Sequence, residues 1–430
     1  MIRVFKKINI GLKLPSLGFR TNVILLEFFV FIIFSQVYPK IVDAYAYKGM
    51  VYDFNFYKFL LAISIYALIV TIGYYIKHVF DYVVWHIYLI YMLVPALINY
   101  YSSESRIDLI LITLVFLFIL LITHGINIKT KIDKLSIKFT NNYYFLIILT
   151  FILFLPFIIF YAKYINLWNL FLIDVYKTRM IFREISLVPL NYLINILVKI
   201  LLPLLIVTSF QRNRKWFAFL FIGMVFYLYL CGAFKSYFAG LIAVLIFYLG
   251  NLESKLKLFI GSVIILAVLG FLFDDLFIFL DLGIRRVFFT PVGLSNIYIE
   301  NFSQNYLYWS HTVIGSIFRE YPFDRGLTGY VGSVIIGIEG LNANIGVVIE
   351  GFVSAGYFGV IIHSLFLGLL FNFFKNLNIS HRYFGIIIII IFNTINSLIQ
   401  LLLVTHALLV FIVVALFFLK DSNELDFKDV

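Results

Sequence analysis

Charge is scarce in this chain of 430 residues: Asp, Glu, Lys and Arg together make up 13%. Soluble domains carry about 25% charged residues and about 45–50% apolar ones. Here 63% of residues are hydrophobic, more than a soluble fold can hide. Cysteine is nearly absent too. Cys231, the single one, excludes an internal disulfide and a cysteine-based metal cluster, and reads as a small buried hydrophobe. The sequence lacks a Walker loop, a dinucleotide fingerprint and a zincin motif, so neither ATP-driven nor nicotinamide chemistry has support. His78, His86, His363 and His406 are scattered, with no two at metal-ligand helical spacing. The net charge of +11 would suggest nucleic acid in a soluble protein. In this chain its distribution matters more, because loop lysines and arginines orient membrane spans. No cleavable signal is apparent, since the first long apolar run begins near Thr21 without a small-residue cleavage site.

What is present is a series of apolar runs long enough to cross about 30 Å of hydrocarbon as helices. Helices are required because lipid offers no partner to a backbone amide. The runs do not alternate as barrel strands would. They predict an all-α polytopic membrane protein, one membrane domain over residues 1–430, with about twelve spans. These are Thr21–Val37, Tyr57–Ile76, Phe80–Tyr100, Ile107–Gly125, Tyr143–Tyr161, Leu187–Phe210, Trp216–Cys231, Tyr237–Leu249, Leu258–Phe279, Ile345–Phe374, Tyr383–Leu398 and Gln400–Leu419.

With twelve spans, the basic clusters fall on one side: Arg3 to Arg20, Lys129 to Lys138, Arg212 to Lys215, Lys255 and Lys257, Lys375 and Arg382, and the tail. The positive-inside rule makes that side cytoplasmic and both termini internal. The opposite face carries an amphipathic segment, 162–186, and a large outer loop between spans nine and ten, 280–344. Long loops escape the orientation rule, so their arginines need another explanation.

Arg179 and Arg183, four residues apart, share a helix face. They either snorkel toward lipid phosphates or grip a substrate phosphate by forked hydrogen bonds. Arg285 and Arg286 open the large loop and are expected to lead into an extended stretch, because Pro291 disfavours helix before it. Tyr306, Tyr308 and Trp309 either offer aromatic faces on which sugar rings pack or dock the loop on the bilayer, with Tyr321, Asn342 and Asn344 as further candidate sugar contacts. His311 can take a proton near neutral pH. Arg319 with Glu320 and Asp324 with Arg325 are either local ion pairs or part of a functional cluster. Glu350 sits inside an apolar helix, where a carboxylate either faces a polar cavity or bonds another helix or an inward arginine. Gly351, Gly356 and Gly359 permit close helix approach. Lys235 either caps the turn at Gly232–Ser236 or adds charge to a site. The spans themselves hold few charges, and the charge gathers at one outer mouth, which favours chemistry on one face over passage through the membrane.

This arrangement resembles the O-antigen and capsule repeat-unit polymerases of the Wzy type. The likeness rests on about twelve spans, internal termini and a late outer loop. It also rests on Gly232-x-x-Lys235-Ser236, on Arg285-Arg286-Val-Phe-Phe-Thr-Pro291, and on Gly326 to Gly332 followed by Asn342-Ala343-Asn344, Glu350 and Gly356-Tyr-Phe-Gly359. The arginine-ten residues-glycine spacing described for some members is missing: Arg179 leads to Leu190, Arg319 to Tyr330 and Arg325 to Ile336. O-antigen ligases carry His followed by Asn, Ser or Gln in the big loop; here Thr312 follows His311. The resemblance implies a GT-C-like glycosyltransferase in a bacterial inner membrane, active on its periplasmic face, without metal or cofactor. It joins undecaprenyl-diphosphate-linked repeat units, with membrane lipids and a chain-length regulator as further partners and no nucleic acid. Arg179, Arg183, Arg285, Arg286, Arg319, Arg325 and Lys235 would hold the diphosphates, and His311 or Glu350 would act as base. A lipid-linked oligosaccharide flippase or exporter, an O-antigen ligase, and an acyltransferase built on His86 or His363 are the alternatives.

Overall fold

A computed structural model describes residues 17–44, 52–126, 143–171, 174–377 and 379–419; the basic clusters at Arg3–Lys13 and Lys129–Lys138, and the tail, lie outside them. Among the described residues there is no strand. The helices are α1 Leu17–Ala44, α2 Phe56–Tyr74, α3 Val79–Tyr101, α4 Asp108–Gly125, α5 Tyr143–Tyr161, α6 Val175–Ile185 and α7 Val188–Gln211. They continue as α8 Lys215–Gly232, α9 Lys235–Tyr248, α10 Leu252–Leu272, α11 Thr290–Phe302, α12 Val347–Asn376, α13 Phe384–Asn396 and α14 Leu408–Leu419. Nine of these, α1 to α5, α7, α8, α10 and α12, are long and apolar enough to cross a membrane; α9, α13 and α14 are shorter apolar helices. The molecule is thus helical and polytopic in character, and its outward faces suit hydrocarbon: Ile148, Ile152 and Ile159 on α5 and Phe118 on α4 are exposed. Cys231 is buried, as expected.

Contacts sort the bundle into two ends. At one, Lys40 pairs with Asp274 at 2.7 Å and Tyr357 donates to Asp108 at 3.4 Å. At the other, Arg20 donates to the Tyr74 carbonyl at 2.6 Å and Lys375 pairs with Asp81 at 2.7 Å. The segment 303–346 belongs to the first end.

Two expectations need correction. The loop expected over 280–344 is helical for its first third: a π-helical stretch, Phe279–Phe289, runs directly into α11. Val287–Thr290 is therefore not extended. Pro291 lies in the first turn of α11, where the fixed φ of proline suits the helix. Burial adds the driving force. Phe288 packs between Phe34 and Tyr91, Phe289 packs on Tyr38, and Asn296 donates to Asn99 at 2.7 Å.

The span expected over Ile345–Phe374 is not one straight helix. Ala355 and Gly356 leave helical geometry, Gly356 with φ 59° and ψ −144°. The halves fold back on each other. Imidazole Nδ1 of His363 donates to the Val347 carbonyl at 2.7 Å, although residues sixteen apart lie about 24 Å apart in a straight helix. The glycines make this possible. A β-carbon on Gly359 would lie 1.9 Å from the Gly351 carbonyl oxygen, and one on Gly356 would lie 2.8 Å from the Tyr306 ring. The second half, from Tyr357 on, still spans about 30 Å.

Candidate active site

The site forms where the 303–346 segment meets the break in α12. Carbonyls at a helix C-terminus lack helical partners. The break exposes two, and the loop supplies their donors: Leu307 N–H bonds the Val353 carbonyl at 3.0 Å and Tyr308 N–H bonds that of Ser354 at 2.7 Å. The chain then reverses through Tyr308 and Trp309, both left-handed at φ 48° and 61°. Neither is glycine, and such residues cost about 1–3 kcal/mol each. The turn is held by its surroundings. Trp309 donates its indole N–H to His363 Nε2 at 2.9 Å, and a β-carbon on Gly315 would lie 1.9 Å from the Trp309 carbonyl oxygen.

This turn delivers His311 to Glu350. Imidazole Nε2 lies 3.0 Å from Glu350 Oε1, and the two side chains are 1% and 0% exposed. The other carboxylate oxygen, Oε2, accepts the backbone N–H of Ile399 at 2.5 Å. That N–H is free because the chain breaks its helix between α13 and Leu401. Glu350 also lies in the first turn of α12, where the helix dipole favours a carboxylate. Gln400 clamps the loop from the far side, accepting from Val313 N–H at 3.1 Å and donating to the His311 carbonyl at 3.3 Å.

The bonding assigns a tautomer. A carboxylate that accepts at both oxygens puts the imidazole proton on Nε2 and leaves Nδ1 as the bare acceptor. His311 Nδ1 is buried without a protein partner, as is the hydroxyl of neighbouring Ser310. Ser310 lines a cavity of about 660 Å³, together with Asn301, Gln304, Asn305, Tyr306 and Tyr308. Arg319 and Glu320 also border it, so its charges balance, and its amides, hydroxyls and rings match the groups that hold sugars.

The expected site residues thus divide. His311, Glu350, Tyr306, Tyr308 and Arg319 come together, with the Arg319 guanidinium 4.6 Å from the Tyr308 ring centroid. Trp309 is anchored to His363. Tyr321 stacks edge-on to Phe323, and burial pushes its hydroxyl pKa up. Asn342 and Asn344 are exposed and flank Ala343, whose carbonyl accepts from Tyr298 at 2.7 Å. Arg325 pairs with exposed Glu339 at 2.7 Å rather than with Asp324. Arg285 is held by Asp281, four residues before it, at 2.5 Å, and Arg286 is half-buried beside it.

Arg179 and Arg183 lie on the surface helix α6, shorter than the 162–186 segment, which begins with two 3-10 turns. The Arg179 guanidinium packs over Phe234 at 5.4 Å, and its Nε is buried without a partner. Burial, then the charge of Arg183, pushes its pKa down. Neither arginine forms an ion pair with a carboxylate among the described residues, so the two cations together favour an anion. The Gly232–Ser236 turn after α8 is left-handed at Ala233, and the side chain of Lys235 lies outside the described residues.

Sequence reasoning missed Gln400, which reaches His311 and Val313 only through tertiary contact. It also counted the spans as nearly free of charge. The structure corrects this: Glu27 and His86 meet at 2.6 Å, both fully buried, and Lys199 donates to Asn393 at 3.2 Å. An ionisable residue inside an apolar run was the available signal. Comparison with protein-family models, curated proteins and solved structures gave no match, so the site rests on this chain's own residues.

Proposed function

We propose that the chain is a glycan polymerase acting on sugars linked to a polyprenyl diphosphate, at the loop-bearing face of a bacterial inner membrane. The observation that carries this reading is the buried His311–Glu350 pair, whose chain neighbour Ser310 lines a cavity rich in amides, hydroxyls and aromatic rings. In this reading the nine long and three shorter apolar helices are twelve spans of a GT-C-like enzyme, and the loop face is periplasmic.

The acceptor sugar lies in the cavity with one hydroxyl toward His311 Nδ1, which takes its proton. That oxygen bonds the anomeric carbon of the donor as the bond from carbon to diphosphate breaks, and the electron pair leaves with the diphosphate. Glu350 holds the imidazole and stabilises the imidazolium. Arg179 and Arg183 meet the charge that develops on the leaving group, as preorganised cations do. Helix α7, which follows them, packs against the 401–405 turn beside Gln400.

Deletion of the gene, followed by a gel of surface polysaccharide, tests the reading. Loss of the ladder with one repeat retained supports polymerase; an intact ladder refutes it. The buried Glu27–His86 pair and Lys199 favour one second reading, a transporter of lipid-linked sugar, because charge inside spans marks transport paths. Complete absence of surface glycan would select it. Polymer left on the lipid would select a ligase.

A further inference from the structure

A second polar centre lies away from the loop, among α1, α2 and α3. Glu27 Oε1 and His86 Nδ1 are 2.6 Å apart, and both side chains are 0% exposed. A pair that merely tied α1 to α3 would leave little unmet bonding capacity. Here the other carboxylate oxygen, Oε2, and the other imidazole nitrogen, Nε2, have no protein partner, and neither do the Tyr66 and Tyr82 hydroxyls or the Trp85 indole N–H. Each such group costs about 1–3 kcal/mol if left unsatisfied. Donors and acceptors are mixed, which suits water and an exchangeable proton better than a metal ion or an anion. Gly73 makes room for the cluster, since a β-carbon there would lie 2.5 Å from Trp85 Nε1 and 3.2 Å from His86 Cε1.

We propose that Glu27 and His86 form a proton-binding site that exchanges with the bundle end at Arg20. The groups set around the pair are Arg20 on α1, Tyr66 and Tyr74 on α2 and Tyr82 on α3, while α10, which packs along α1, carries buried Lys255 in its first turns. Tyr82 bridges the cluster: its ring lies 4.0 Å from that of His86. Arg20 in turn bonds the Tyr74 carbonyl at the helix end, with its Nε and Nη2 unpartnered. A proton from water adds to the Glu27–His86 pair and returns to water on release, with no other reactant. The site is independent of the glycan reading.

The test is a pH titration of the full chain in lipid nanodiscs, labelled with 15N-histidine, with the His86 signal identified by its loss in His86→Gln. The expected result is an imidazole whose shifts move reversibly with pH over the range the nanodiscs tolerate. Glu27→Gln displaces the midpoint by about one pH unit or more, as removal of a charge within ~4–6 Å does. If His86→Gln fails to fold, Tyr82→Leu makes the assignment, because it leaves both charges and removes the ring current on His86 together with one hydroxyl of the cluster. A His86 signal constant across that range overturns the proposal and makes the pair a structural tie between α1 and α3.

Discussion

Glu350→Gln separates the chemical role of the carboxylate from its packing. Two donors face Glu350: His311 Nε2–H at 3.0 Å and Ile399 N–H at 2.5 Å. Glutamine accepts at one atom and donates at the other. The Ile399 N–H is fixed by the backbone, so the amide oxygen must face it. The amide NH₂ then points at His311 and requires a bare Nε2, which drives the imidazole proton to Nδ1. Every hydrogen bond survives, so the stability cost should stay near or below about 1 kcal/mol. The base atom is nonetheless lost, and proton abstraction by a positioned side chain contributes about 10²–10⁴ in rate. Glu350→Ala instead strands both donors, at about 1–3 kcal/mol each, so it should destabilise by about 2–6 kcal/mol. Thermal unfolding in nanodiscs, ladder length on a gel and the 15N tautomer pattern of His311 read the three effects separately. A glutamine variant with a normal ladder, or one with the His311 proton still on Nε2, refutes the assignment of Nδ1 as base.

The fold-back in α12 predicts that Gly359→Ala unfolds the Val347–Ser354 half, because its methyl meets the Gly351 carbonyl; wild-type thermal stability would contradict this. Arg179→Lys should shorten the ladder because lysine cannot offer a planar fork, whereas Arg325→Ala should leave it intact, its exposed pair with Glu339 being worth about 0–1 kcal/mol. His78, which precedes α3, has its pKa lowered to about 4, first by burial and then by the charge of Lys375. The folded state therefore binds fewer protons than the unfolded one. The stability from keeping His78 neutral is complete above about pH 6.5 and is lost as pH falls toward 4, by at most about 3 kcal/mol and less for its partial exposure. Replacing His78 with Gln should flatten unfolding midpoints measured across that window, and an unchanged slope would count against it.

Much of the fold was legible because lipid imposes one rule on every span. Nine of the expected runs fall on long apolar helices and three on shorter ones, but Leu258–Phe279 runs past the end of α10 at Leu272, and Gln400–Leu419 is interrupted by the left-handed Ala407 before α14; the amphipathic pattern around Arg179 locates α6. What failed was local reasoning about breaks. Pro291 was taken as a helix stop, yet burial of Phe288 and Phe289 carries the helix into it. The glycines of α12 were taken as packing contacts, and they are the fold-back itself. His311 and Glu350 were each legible as chemistry-bearing groups. Their pairing was not, because it depends on a loop register set by Val353 and Ser354, and on an N–H from residue 399.

That dependence argues that the loop and the spans act as one unit. Backbone groups freed inside a membrane protein must be satisfied by protein or by cavity water. In this chain each break satisfies another. The end of the first half of α12 is bonded by residues 307 and 308, and the gap after α13 is bonded by Glu350. The fold-back is held by His363, which also holds Trp309. No member of this set can shift without stranding a polar group in another. A loop transplanted onto spans with an unbroken helix at 355–356 would therefore lack the two carbonyls that set its register. His311 would then miss the carboxylate even with its own sequence unchanged.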